Sequence, residues 1–461
     1  MQIFSVGALI SVSISTDRGS PLCDLIRFST RFTSGQENFG ENRKRLNTAT
    51  AHSRVGIARV CSGMLIVSTA LRSLVNRTLA PFGEPPPGGR FESIDTLLAT
   101  AERKTGLLDW GDPSFRDGLS VLLGALEEVP DLTPLGVVTF NNMIRQALVN
   151  RLRFLRDSAP RRDLKAPVII TGLPRSGTTV LHRMLSLDPS FHAPPLWELL
   201  DPFSVSNPGF RRWRTSAQIT IKNRLLPNLD RKHFTRADTP EECTLLLANS
   251  FASPLFWDLA PLNDYLEWYQ GASQRPVYGE YRRQLQVLQA RHPDQRLLLK
   301  APAHLGNLSI LREVVPEARL IQTHRDPTEC FFSHCSLRET LGRFVMSAPS
   351  REFIAGHVQR VFDFDLNANI EFHEDHPDEV VNVACGDLRT SSLEVLSGLG
   401  GALDLEWSRE TADRAAAYLE QNPGGRFGKH RVSDDDWGVS RETVDQLFSI
   451  YRETFAGFID T

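Results

Sequence analysis

The segment Gly172-Leu173-Pro174-Arg175-Ser176-Gly177-Thr178-Thr179 gathers two glycines, an arginine and three hydroxyl side chains into eight residues. Glycines let a loop turn successive backbone N–H groups toward an anion, and a helix beginning behind the loop adds partial positive charge. Arg175 offers a fork of donors, and Ser176, Thr178 and Thr179 offer hydroxyls. The spacing is that of a phosphate loop, GxxxxGK[ST], with Thr178 standing where that pattern has lysine. A lysine there reaches the β- and γ-phosphates of a nucleoside triphosphate, and a threonine does not. The loop therefore suits one terminal phosphate or phosphosulfate better than a triphosphate. Taken alone, the pattern also fits a tight strand–helix turn that binds nothing.

A second group of candidates lies further on. Lys300, in Leu299-Lys300-Ala301-Pro302-Ala303-His304, stands at the end of one apolar run, and Thr323-His324-Arg325-Asp326-Pro327 ends the next. Pro327 suits the first turn of a helix. Such a helix would face Ser333, eight residues after Arg325, back toward the strand end. Open α/β sheets collect ligands outside the carboxyl ends of their strands, so Arg325 and Ser333 could cradle a second, isolated phosphate. The plainer alternative is an ion pair between Arg325 and Asp326 or a neighbouring acid.

These residues need elements to hold them. Pro167–Thr171 is a short β-branched run ahead of the loop, and Val180–Leu185 behind it reads as helix, which makes a strand–loop–helix unit. Further buried strands are predicted at 296–299, 318–323 and 380–384, with helices between them at 308–315 and 328–337. Upstream, 91–103, 114–129 and 137–156 carry helical periodicity. The stretch 240–290 reads mainly as helix, and its aromatics (Phe251, Phe256, Trp257, Tyr265, Trp268, Tyr269) suit core packing or the lining of an apolar pocket. The expected fold class is α/β, a P-loop-type parallel sheet flanked by helices with a helical N-terminal decoration. The expected organisation is an extension and linker over 1–90, ending in the Pro- and Gly-rich 81–89, followed by one domain over 91–461. Within that domain 91–160 is helical, 165–390 is the α/β core with a helical insertion at 205–290, and 391–461 holds C-terminal helices and a glycine-rich loop.

Composition narrows the partners. Hydrophobic residues make up 41% and charged residues 23% of 461, as in a globular protein with a real core. A formal charge of −3, with lysine and arginine dispersed, removes the electrostatic case for nucleic acid, so any anion site must be local. Six scattered cysteines without CxxC spacing argue against a disulfide framework and against zinc, and no metal is expected. Free thiols point to a reducing compartment, hence a cytoplasmic protein. The apolar stretch 60–71 is short of the roughly 20 residues a bilayer span needs. The run 3–14 has no basic residue ahead of it, as a secretory signal would require.

Taken in order, Pro174–Thr179, Lys300, and Arg325 with Ser333 resemble the sulfotransferases that use 3′-phosphoadenosine 5′-phosphosulfate (PAPS), in particular the bacterial branch related to tyrosylprotein sulfotransferases. Leu196-Trp197-Glu198-Leu199-Leu200-Asp201-Pro202, Pro240-Glu241-Glu242, Lys300–Leu305 and Gly428-Lys429-His430-Arg431 are similar as well, so the likeness spans about residues 91–440. The resemblance implies that Arg175, Ser176, Gly177, Thr178 and Thr179 hold the 5′-phosphosulfate, that Arg325 and Ser333 hold the 3′-phosphate, and that Lys300 stabilises the leaving group. It implies no metal. The acceptor is a hydroxyl or amine of a small molecule, glycan, lipid or peptide, and its base is Glu198, or else His304. Two departures stand out. Pro302 occupies the position where cytosolic relatives place a catalytic histidine, and 424–429 only loosely resembles the family's nucleotide lid. The rival expectations are a nucleotide kinase or other P-loop phosphotransferase, with a magnesium-holding aspartate at a strand end, and a non-catalytic nucleotide-binding relative.

Overall fold

The computed structural model describes residues 68, 70–79, 89–156, 163–227, 229–405, 407–421 and 437–459. The Pro-rich stretch 81–88, the glycine-rich segment 424–431 and most of the expected extension lie outside them.

Five parallel strands form one sheet in the order β2-β3-β1-β4-β5: β1 (Val168–Thr171), β2 (Phe191–His192), β3 (Arg296–Lys300), β4 (Arg319–His324) and β5 (Val380–Ala384). The α/β class read from the sequence is the observed one. Four of the strands were predicted to within a residue or two. β2 was not, because two residues carry no periodicity to read. The central strands are buried on both faces and alternate between two cores. Ile169, Leu297, Leu299 and Leu320 face one core, while Val168, Ile170, Leu298 and Ile321 face the other. Burial on both faces is why these runs read as continuously apolar rather than alternating.

The first core is capped by helices Ile94–Thr105, Phe115–Glu127 and Pro134–Arg156. The first of these is fixed at both ends. The Ser93 side chain accepts from the Thr96 amide, and Gly106 closes the helix in the left-handed region at φ +71°. This layer decides the fate of the aromatics between Phe251 and Tyr281. Phe251, Phe256, Tyr265, Tyr278 and Tyr281 are fully buried, with Trp257 and Tyr269 nearly so, in a run of ring contacts such as Phe251–Phe256 at 5.9 Å and Trp257–Tyr269 at 5.1 Å. Of the two roles open to them in the sequence, the structure gives them core packing, against the N-terminal helices through Phe251 and against His357 and Phe364 through Trp257 and Tyr269.

Parallel order puts all strand carboxyl ends on one edge. β1 lies between β3 and β4, so the loop after β1 sits between whatever follows β3 and whatever follows β4.

Candidate active site

Three consecutive turns of the loop need positive φ: Gly172 at +135°, Arg175 at +77° and Gly177 at +98°. At Gly172 a Cβ would fall 2.4 Å from the Thr323 carbonyl oxygen, so only glycine lets the loop rest against β4. Arg175 has no such freedom, and its left-handed backbone costs on the order of 1 kcal/mol. Its side chain is correspondingly pinned. Nε donates to Ser333 Oγ at 3.1 Å and Nη1 to the Lys232 carbonyl at 2.8 Å, while its own carbonyl accepts from Arg325 Nη1 at 3.2 Å. The loop arginine thus joins both halves of the second predicted cradle. Helix Thr178–Leu185 begins directly behind, and the leading amides of Gly177, Thr178 and Thr179 have no helical acceptor of their own. Ser176 behaves differently from its neighbours. Its buried hydroxyl donates to the Leu173 carbonyl and pairs with Thr323 Oγ1, both at 2.7 Å, so it braces the loop against β4.

On the β4 side, helix Pro327–Val345 carries Ser333 in its second turn, where it faces the loop as the spacing predicted. Asp326 caps this helix, its Oδ1 accepting from the Glu329 amide at 2.9 Å while Oδ2 takes Arg452 Nε at 2.7 Å. The aspartate that a kinase reading would give to magnesium is a helix cap. Arg325 is not tied up by Asp326 either. Its acidic neighbour is Glu329, at 3.8 Å on the same helix, and the Arg325 side chain remains about one-third exposed.

On the other side, Lys300 ends β3 in register with Ile170, and the Ala301 amide donates to the Ile170 carbonyl at 3.1 Å. The lysine is buried, yet Nζ donates to Glu242 Oε1 at 2.7 Å. Glu242 is held there by its neighbour: the Cys243 amide donates to the Lys300 carbonyl at 3.0 Å. The Glu242 side chain is 29% exposed, so this carboxylate links the buried ammonium to solvent. In the sequence Glu242 carries no signal of its own beyond its place in the family-like Pro240-Glu241-Glu242.

Glu198 is elsewhere. Its Oε2 accepts from His192 Nε2 at 2.9 Å and its Oε1 from His292 Nε2 at 3.4 Å, and the two imidazoles stack with centroids 3.4 Å apart. His192 is in register with Leu297, three residues before Lys300, or roughly 10 Å back along β3. Burial alone would raise the Glu198 carboxyl; the hydrogen bonds and charge of His192 and His292 outweigh it and hold the group down to about 2. Among the described residues this trio is the one cluster whose ligand atoms all fall within 4.8 Å, and it is what could offer two nitrogens and a carboxylate to a divalent cation. His304, the other expected base, is fully buried. Its Nδ1 meets the Tyr278 hydroxyl at 2.9 Å and its Nε2 meets Cys243 Sγ at 3.3 Å. Burial lowers its pKa to about 3, so it is a neutral ring inside a polar network that backs Cys243.

Lys232 had no signal in the sequence. Its carbonyl receives Arg175, and its Nζ donates to Ser336 Oγ and Thr340 Oγ1, both at 2.7 Å, on the Ser333 helix. Burial, against the opposing pull of Glu339, lowers its ammonium to about 8.

A parallel sheet with a glycine loop and helix after its central strand, and with Lys300 and Arg325 at the ends of the two adjacent strands, is the arrangement of a P-loop-type α/β fold. Residues 167–409 match the profile of the sulfotransferase family, which covers more than half of the 461 residues, and the chain belongs to that family. The omega-hydroxy-beta-dihydromenaquinone-9 sulfotransferase Stf3 of Mycobacterium bovis is 27% identical over 214 residues, 44% of this chain and 54% of that protein. The chain therefore spans about half the length of the curated relatives it matches. Among solved structures, sulfotransferase STF9 of Mycobacterium avium aligns with a TM-score of 0.70 at 23% identity, over 79% of this chain and 97% of that one. Sulfotransferase STF1 of Mycobacterium tuberculosis aligns at 0.68 and 27% identity, over 78% and 98%.

Proposed function

We propose that this chain transfers a sulfuryl group from PAPS to a hydroxyl of an acceptor. The observation that carries the reading is the Arg175–Ser333 contact at 3.1 Å, which couples the loop to the neighbouring Arg325–Ser333 pair. A donor with a phosphosulfate at one end and a separate 3′-phosphate at the other needs two adjoining cradles, and a nucleoside triphosphate does not. Arg175, Gly177, Thr178 and Thr179 take the phosphosulfate in this reading, with Ser176 bracing the loop, while Arg325 and Ser333 take the 3′-phosphate. The name of the relative Stf3 carries a hydroxyl acceptor, which supports a hydroxyl over an amine here. Four buried thiols among the described residues support the reducing, cytoplasmic setting.

Chemically the reaction is an in-line displacement, helped by positioning and by charge at the leaving oxygen. Lys300 is the group for that oxygen. Its partner Glu242, rather than Glu198, is the base we favour. When the ammonium turns to the leaving phosphate oxygen, the Glu242 carboxylate loses its counter-charge beside the acceptor and can take the hydroxyl proton. The bond between sulfur and the bridging oxygen breaks as the acceptor oxygen bonds to sulfur, and the proton leaves with Glu242. His304 keeps this side in place through Cys243. The reading requires no metal.

Calorimetric titration with 3′-phosphoadenosine 5′-phosphate tests the donor site. Arg325→Ala should weaken binding by about 10- to 100-fold, and Ser333→Ala by about fivefold. Unchanged affinity in both variants would refute the site. Magnesium-dependent ATP binding without affinity for the bisphosphate would return the kinase reading. Tight bisphosphate binding, with no transfer from labelled donor to any alcohol, phenol or amine tried, would favour a non-catalytic relative.

A further inference from the structure

Helix Pro208–Leu225 presents its inner side to the protein through Arg211, Thr215, Ile219 and Leu225. Its outer side is unusual for a soluble surface. Phe210 is 53% exposed, Trp213 59% and Ile221 57%, and Val205 just ahead of the helix is 83% exposed. Steps of three, four and four residues put Phe210, Trp213, Ala217 and Ile221 on one stripe. The two rings lie together on it, with centroids 5.9 Å apart.

Charge says what kind of partner this stripe suits. The helix contains five basic residues (Arg211, Arg212, Arg214, Lys222, Arg224) and no acidic one, in a chain whose net charge is −3. Arg211 is turned inward onto the Asp201 and Glu198 carbonyls. Arg212 and Arg214 lean on Asp238 and Asp201 at the flanks, Lys222 lies half-buried near Glu241 and Asp230, and Arg224 is exposed with no ion-pair partner among the described residues. A second copy of this chain, docked stripe to stripe, would set Arg214 and Arg224 at the edges of one stripe against those of the other. Aromatic and aliphatic side chains flanked by arginines are what an interfacial helix offers to a bilayer whose headgroups carry negative charge.

We infer that the Pro208–Leu225 helix docks the protein on an anionic lipid surface, inserting Phe210, Trp213 and Ile221 among the acyl chains and setting Arg214 and Arg224 among the headgroups. The attachment is peripheral: no helix among the described residues is long and apolar enough to cross a membrane. Its place in the chain gives it a use beyond attachment. Seven residues after the helix ends, the Lys232 carbonyl holds Arg175 of the phosphate loop. A surface-bound enzyme would have its crevice beside the bilayer, where an acceptor dissolved in the lipid could reach it.

Co-sedimentation of the full chain with vesicles tests this without any turnover. Phosphatidylcholine vesicles containing phosphatidylglycerol should pull the protein down, pure phosphatidylcholine should do so much less, and added salt should release it. The double variant Phe210→Asp, Trp213→Asp should bind the anionic vesicles at least about tenfold more weakly. It should keep the wild-type melting temperature and affinity for 3′-phosphoadenosine 5′-phosphate, because both side chains are outside the core and the crevice. No sedimentation of the wild type with anionic vesicles at low salt overturns the inference, as does equal binding by the variant. Self-association of the free protein that the variant abolishes, without vesicle binding, assigns the stripe to a second copy and overturns it too. Loss of vesicle binding with bisphosphate binding intact separates failure here from failure of the transferase reading.

Discussion

The two flanks of Lys300 are built on different principles. Toward β4, the parts of the site come from short, contiguous stretches locked by backbone: the loop from Gly172 to Thr179, and the strand end and helix from Arg325 to Ser333. Gly172 touches β4, Ser176 braces on Thr323, and Arg175 spans to Ser333. Toward β2, apart from the Glu198–His192 contact, the pairs join distant parts of the chain. Glu242 meets Lys300 across 58 residues, Cys243 meets His304 across 61, and Glu198 meets His292 across 94. One flank is a preformed mould. The other is an assembly made mostly of long-range pairs.

Lys300 sits on the seam, and its removal should produce the largest effect. Lys300→Ala should lower kcat by about 10³-fold while leaving 3′-phosphoadenosine 5′-phosphate affinity within about threefold. Loss of binding in parallel with kcat would mean that the lysine belongs to the mould. Next comes a contrast within the assembled flank. Glu242→Gln should reduce kcat by about 10²-fold, and Glu198→Gln should leave it within about threefold. The opposite ranking in single-turnover measurements would hand the proton to Glu198 and place the acceptor deeper along β3.

The smallest effect concerns stability. His192 and His292 hold Glu198 at about 2, below the ordinary 4.5. A carboxylate whose pKa is depressed by folding stabilises fully above its unfolded value and loses that contribution as pH falls through the folded one. Glu198→Gln should therefore melt below the wild type at pH 7, by the equivalent of about 2 kcal/mol. The gap should close between about pH 4.5 and pH 2. A gap independent of pH in thermal melts would show that the histidines do not set it.

The same contrast explains what could be read from the sequence. The loop, Lys300, Arg325 and Ser333 were legible because each depends on a fixed local spacing, and the strands carrying them are apolar enough to recognise. Glu242 was visible as a residue but not as a partner, since nothing local ties it to Lys300. Glu198 was chosen by its distance from the loop, but the fold turns its side chain back toward His192, a contact set by a two-residue strand too short to predict. The aromatics were ambiguous for a related reason. Whether a buried ring faces a core or a cavity depends on what covers it, and the cover comes from residues more than a hundred positions upstream.

The contact between Gly172 and Thr323 has a consequence for selectivity. The loop is seated on the very strand whose end supplies Arg325, so neither can shift without the other. In the proposed reading, the gap between the two anion seats then belongs to the protein and not to its guest. Such a site acts as a calliper: it measures how far apart two charged groups are carried. If the proposed seats are right, a nucleotide whose second phosphate sits on the neighbouring 2′-oxygen, with the same charges and the same base, should bind more weakly in the same calorimetric titration.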